Sequence, residues 1–409
     1  MAVAPAWNRN RWAAQSRTSA SSMPRPEDAG ERPVGRFKGQ FFHQQTLILV
    51  KMQKLCSQHC KEWSLRPPLS DTSKQVVMIE LSLPWEDQVE EEFECKKAKY
   101  QQLARDRGGS TKRAYRECNK DDLIDVLTQC SNAQRLITGQ TYNAMYGKDL
   151  VSDLKEGLSG HFKEVMVGLM YPAAFFDAHE LRHAMKGAGT DENCLIEILA
   201  SRTNSEIYAI NEVYMMQFGT QLQEDIDSET SGHFRDTLML LAQGTREEGY
   251  GYEDQGMAAQ DATALWGACQ DETGENKNIL QYILCKKSFQ QLWMAFQQFQ
   301  LMYGRDIQEA IANCYEGHFQ QLLVAIVLCV RDKASYFAYK LYTAIYDHGF
   351  HNRTVIRIMI SRSEIDLMNI KRNYKVSYGN SLHHDIKKYA SGHYEAALLA
   401  ICTGDVDDC

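Results

Sequence analysis

From about residue 117 onward, apolar residues recur at three- and four-residue intervals, the spacing of one face of a helix. Between residues 190 and 243 three such faces follow one another: Leu195, Ile198 and Leu199; then Ile207, Ile210 and Tyr214; then Phe234, Leu238 and Leu241. Polar or glycine-containing breaks separate them, so the stretch predicts several short amphipathic helices. Thr190 is expected to be a helix N-cap, with Asp191 and Glu192 behind it at the positive helix end. Gly219 fits the position just past a helix C-terminus. Residues 1–40 are rich in Arg, Ser, Ala and Pro without periodicity, and residues 1–63 are expected to form a low-complexity, disordered tail. Residues 64–112 read as a strand over 76–81, ended by Pro84-Trp85, and a charged helix over 86–107 with Val89, Phe93, Tyr100, Leu103 and Ala104 on one side.

The helical part repeats. Ser-Gly-His-Phe occurs at residues 159–162 and 231–234, and variants stand at 316–319 and 391–394. The four histidines, His161, His233, His318 and His393, are 72, 85 and 75 residues apart. A second marker, an aromatic-Gly pair followed three residues on by Leu or Ile, places its glycine at Gly147, Gly219, Gly304 and Gly379, with the same three steps. Two markers in one register define four repeats of about five short helices each. Their expected boundaries are 113–171, 172–248, 257–331 and 332–409. The long middle step falls on a linker around 243–256.

Charge narrows the partners. Residues 1–105 carry 16 Lys+Arg and 12 Asp+Glu, whereas residues 106–409 carry 29 and 41. An acidic array does not attract nucleic-acid phosphates, so no nucleic-acid partner is expected; anionic lipid would need a bridging cation. The turn Met185-Lys186-Gly187-Ala188-Gly189-Thr190, with Glu229 39 residues after Thr190, suggests such a cation. A glycine-rich turn that bares backbone carbonyls, joined by one distant carboxylate, is an oxygen cage suited to Ca²⁺.

The four repeats, with M-K-G-A-G-T and E-T-S-G at this spacing, resemble the annexin family over about residues 117–409. The resemblance implies an all-α fold, an annexin-like disc whose convex face binds anionic phospholipid such as phosphatidylserine through Ca²⁺. It implies three carbonyl ligands and one bidentate carboxylate at each intact site: here Met185, Gly187 and Gly189, with Glu229. The other repeats depart from this pattern. In repeat one, residues 113–118 read R-A-Y-R-E-C at the turn, and Gly157 holds the acid position beside Glu156. Repeat three has Glu272-Thr273-Gly274-Glu275 and Cys314; repeat four has Asp347-His348-Gly349-Phe350 and Tyr389. Without the carboxylate these sites lose their only charged protein ligand, and bulky residues in place of glycine disfavour the positive φ such a turn uses. One weak Ca²⁺ site is therefore expected, with an affinity of roughly 10⁻⁴–10⁻³ M in the absence of lipid. A separate stretch, residues 74–103, resembles a segment of transposon-derived reading frames and is expected to be a fused, non-functional piece.

Other chemistry competes with this reading. His179-Glu180-Leu181-Arg182-His183 matches H-E-x-x-H, which on a helix would make a zinc hydrolase with Glu180 as general base. The repeat register instead makes it the first helix of repeat two, and no third ligand is indicated. The four repeated histidines are expected at helix starts, in capping or surface roles. The twelve cysteines contain no C-x-x-C pair, and Cys194, Cys285, Cys329 and Cys402 sit in apolar runs as buried free thiols of a reducing compartment. No nucleophile constellation or phosphate loop is visible, so a non-enzyme is expected, cytoplasmic and peripheral at membranes, with the nucleus open. The alternative is an annexin-fold scaffold that works through protein partners without Ca²⁺. Deleting residues 1–100 is expected to leave the thermal transition nearly unchanged; a large fall in melting temperature would show that residues 89–104 supply the missing first helix of repeat one.

Overall fold

A computed structural model describes residues 120–404, apart from residues 188, 250–253, 272–275 and 348. The tail, the strand and helix expected over 64–112, and the start of repeat one lie outside these residues. Among the described residues there are eighteen helices and no strand. Repeat one contributes α1 (Lys120–Gln129), α2 (Asn132–Tyr146), α3 (Leu150–Gly157) and α4 (Gly160–Leu169). Repeat two has five helices: α5 (Ala173–Ala184), α6 (Glu192–Ser201), α7 (Asn204–Phe218), α8 (Leu222–Glu229) and α9 (Gly232–Ala242). Next come α10 (Gln255–Gln270), α11 (Lys277–Lys286), α12 (Phe289–Tyr303), α13 (Ile307–Cys314) and the 30-residue α14 (Gly317–Tyr346). The chain ends with α15 (Asn352–Arg362), α16 (Leu367–Tyr378), α17 (Leu382–Tyr389) and α18 (Gly392–Cys402).

Local sequence explains these boundaries. Helices α2 and α7 open on a capping box, Ser131 with Gln134 and Thr203 with Glu206. Each closes on a glycine in the left-handed region, Gly147 at φ 65° and Gly219 at φ 69°, as the spacing of that marker requires. Asp332 breaks α14 with φ −161° and ψ 103°, and its carboxylate accepts from Ala334 N at 3.0 Å and Ser335 Oγ at 2.6 Å. It therefore caps a second helix that starts without a loop, and α14 is the last helix of repeat three joined to the first of repeat four.

The apolar faces point inward as expected. Leu195, Ile198, Leu199, Ile207, Ile210, Tyr214, Leu238 and Leu241 are buried. Cys194, Cys285, Cys329 and Cys402 are buried free thiols, and burial pushes Cys285 and Cys329 up to about 12. The repeated histidines lie in the first turns of their helices; none caps, but His161, His318 and His393 are at the surface, as the second of the two expected roles requires, and His233 is half-buried. Their rings also pack across repeats: His161 on Tyr394 and Phe162 on His393 join repeats one and four, while His233 on Phe319 and Phe234 on His318 join repeats two and three, at 5.4–5.8 Å between centroids.

Repeats two and four are joined by charge. Arg357 in α15 donates Nε and Nη2 to the two carboxylate oxygens of Glu197 in α6, at 2.9 and 3.0 Å, and both side chains are 0% exposed. Arg357 Nη1 lies 3.5 Å from Glu180, which also takes two bonds from Arg353 at 2.8 and 3.0 Å. Burial opposes the charge on Arg357, but Cys194, Glu197 and Glu180 outweigh it and hold its pKa above the ordinary arginine value. Removing one partner of such a pair leaves the other charged and dry, a loss of about 3–5 kcal/mol. Arg357→Met is expected to lower the urea midpoint by that order, and Glu197→Leu added to it should restore much of the loss; a double variant less stable than the single one would show that the charges do not act as a pair.

Candidate functional site: the α5–α6 turn and the end of α8

Helix α5 stops at Ala184 because the next residues cannot extend it. Met185 still bonds back, its N–H to Leu181 O at 3.2 Å, and its side chain is buried. Gly187 (φ 121°) and Gly189 (φ 98°) then take backbone conformations that side chains rarely adopt. Asp191 N–H donates to Ala184 O at 2.8 Å and closes the turn. The cap of α6 is Asp191, not Thr190: its Oδ1 accepts from Cys194 N at 3.1 Å. Thr190 has a different partner. Its hydroxyl donates to the carbonyl of Glu229 at 3.2 Å, which ties the last residue of α8 to the turn across 39 positions of sequence. The structure thus brings Met185, Gly187, Gly189 and Glu229 into one neighbourhood. No described residue donates to the carbonyls of Met185, Gly187 or Gly189, and the exposed carboxylate of Glu229 takes no hydrogen bond or ion pair from any described residue. The donors on offer are all oxygen, the set a hard cation prefers. No group of three or more His, Cys, Asp or Glu side chains that could hold a metal occurs among the described residues.

The equivalent places differ. In repeat one, Gly157 ends α3 and the residues of the turn lie outside the described ones. In repeat three, Cys314 Sγ contacts the carbonyl of Cys269 at 2.7 Å and Tyr315 donates to Ala268 O at 2.8 Å; the Glu272–Glu275 segment is again outside. Repeat four departs from expectation. Its turn keeps the closing bond, His351 N–H to Ala344 O at 2.7 Å, and the second glycine, Gly349 at φ 97°. Only the first positive-φ position is gone, where Asp347 has φ −85°. Gly349 keeps the positive φ of the second position, while the carboxylate is replaced by Tyr389, whose ring lies 6.5 Å from that of Phe350.

A sequence model of the Annexin family matches residues 112–169, 176–241, 260–326 and 336–401. The chain belongs to the annexin family. Annexin A10 of Mus musculus is 67% identical to it over 292 residues, covering 71% of this chain and 90% of that protein. Among solved structures, one named annexin III has a TM-score of 0.69 and 44% identity, over 70% of this chain and 89% of that one. A calcium-bound annexin (Sm)1 has a TM-score of 0.64 and 28% identity, over 70% and 86%. Annexins are in general Ca²⁺-dependent phospholipid-binding proteins, non-enzymatic and peripheral to membranes. No helix among the described residues of this annexin is long and apolar enough to cross a membrane.

The H-E-x-x-H match of this annexin belongs to its packing. The His179 ring sits among Tyr171, Phe175 and Phe218, with centroids 4.4–5.6 Å away; burial, then the charge of Lys155, lowers its pKa. Glu180, the general base of a hydrolase reading, is taken up by Arg353 and Arg357. What sequence reasoning missed is that ionic network. Its one local signal is Glu197, a charge inside the apolar run Cys194–Ser201. Metal analysis of protein purified without chelator is expected to show no stoichiometric zinc, and Glu180→Gln to lower the melting temperature instead. One zinc per chain, lost on His183→Ala, would restore the hydrolase.

Proposed function

We propose that this annexin binds anionic phospholipid surfaces through a single Ca²⁺ in repeat two, held by the carbonyls of Met185, Gly187 and Gly189 and the carboxylate of Glu229. The observation that supports this reading is the Thr190–Glu229 bond, which ties the main chain of Glu229, whose exposed carboxylate has no partner among the described residues, to a turn whose carbonyls have no described donor. The calcium-bound state of the related annexin (Sm)1 supports it. The cation, when bound, supplies the positive charge that an acidic chain lacks toward lipid phosphates. The chain's own part is conformational: glycines at 187 and 189 permit the turn, and Asp191 and Thr190 fix it to α6 and α8. Oxygens from lipid or water complete the six to eight that Ca²⁺ takes. Affinity is low in solution and rises with lipid, because each ligand improves the site for the other. The working units are the four repeats at 113–171, 172–248, 257–331 and 332–409, and the setting is the cytoplasmic face of a membrane.

Glu229→Gln preserves size and removes the charge. It is expected to abolish the Ca²⁺-dependent part of co-sedimentation with phosphatidylserine vesicles while leaving the melting temperature unchanged. Retention of that part by the variant would place the cation elsewhere, and a wild type with no Ca²⁺-dependent part at all would overturn the reading.

A further inference from the structure

Helices α8 and α17 hold equivalent places in repeats two and four, and their charges are inverted. Helix α8 carries Glu224, Asp225, Asp227 and Glu229 and no base; α17 carries exposed Lys387 and Lys388 in its last turn, preceded by His383 and His384. The one acid of α17, Asp385, is buried and accepts from the hydroxyls of Tyr346 and Tyr374 at 2.9 and 2.7 Å and from Asn380 at 3.3 Å. Where repeat two has Glu229, repeat four has Tyr389, 40% exposed, with the Lys388 ammonium 5.0 Å above its ring and Tyr346 5.4 Å to its side. Where repeat two has Thr190, repeat four has half-buried Phe350. The exposed acid of this turn is Asp347, and His351 is exposed beside it.

The two places lie on the same side of the repeat array. The helix starts that follow them, in α9 and α18, meet α14 and α4 through the His–aromatic pairs. Two contacts of 3.8 Å, His318 to Glu192 and His393 to Asp121, tie the same ends to α6 and α1. Asn193, at the start of α6, accepts from Lys340 of α14 at 3.1 Å.

We propose that repeat four is a second membrane contact, independent of Ca²⁺. Lys387 and Lys388 pair directly with the phosphates of anionic lipid headgroups, and Tyr389 with Phe350 enters the interfacial layer. Aromatic side chains with a polar tip favour that layer, and a lysine near an anionic leaflet strengthens binding about fivefold. The turn, which keeps the closing bond and the positive φ of Gly349, presents the patch where a cation site would present its ligands. The proposal rests on the repeat-two reading only for which side faces the membrane.

The test uses the full chain with phosphatidylcholine vesicles, with and without phosphatidylserine, in excess chelator and at low salt. Wild type is expected to bind the anionic vesicles, more weakly at high salt, and not the neutral ones. The double variant K387E/K388E should lose that binding by about 25-fold or more and retain the increment gained on adding Ca²⁺; the double glutamine variant should show a smaller loss of the same sign at unchanged melting temperature. Glu229→Gln should do the reverse, losing the increment and keeping the chelator-resistant binding, so that failure of either site is read separately. No vesicle binding in chelator, or binding indifferent to both lysine variants, overturns the proposal. So does lysine-dependent binding of inorganic phosphate without any binding to vesicles.

Discussion

The contact on which the rest of the molecule depends is the dry pairing of Arg357 with Glu197. Neither group survives burial alone, so each fixes where the other must be. Because α6 and α15 are equivalent helices of repeats two and four, the pair sets one repeat against another at matched positions. Glu180 and Arg353 extend it to the first helix of repeat two, whose C-terminal end opens into the glycine turn. The placement of the candidate cation site thus begins with an ion pair that no solvent reaches.

The repeats share a backbone and differ in what they put on it. Repeat two closes its turn and ties Glu229 to it through the Thr190 hydroxyl. Repeat four closes the same turn with the same bond and has an aromatic ring, Tyr389, at the acid position, with the Lys388 ammonium over it. In repeat three a thiol meets the end of α10. Divergence has therefore acted on the groups presented to the surroundings while the inner helical faces stayed apolar.

Much of this is legible in the chain. Helix faces such as Ile207, Ile210 and Tyr214 follow from local spacing, and the registers of the two markers fix four repeats. The marker Ser-Gly-His-Phe recurs because its His and Phe rings interlock between repeats, a reason the spacing alone does not supply. The cap of α6 was misplaced by one residue because Thr190 and Asp191 are both good caps; Glu229, far away in sequence, takes the threonine hydroxyl and decides between them. The Arg357–Glu197 pair is invisible to local pattern, since nothing within a helix tells a buried charge which distant partner it meets. In repeat four the missing acid is readable, yet the survival of the turn rests on Gly349 and a backbone bond, which side-chain chemistry does not reveal.

The junction inside α14 has a mechanical consequence. Ring contacts bind repeat two to three and one to four, and between these two pairs the chain passes through Asp332 with no loop to spare. A change in the angle between the pairs must be taken up at Asp332 and at the short link between α4 and α5, and it works against the buried Arg357–Glu197 pair. Asn373, bonded to the Asp332 carboxylate and to Ser335 at 2.8 and 2.9 Å, works as a latch on this pivot. A curved membrane pressing on both pairs at once would load these two short links and the dry ion pair between them.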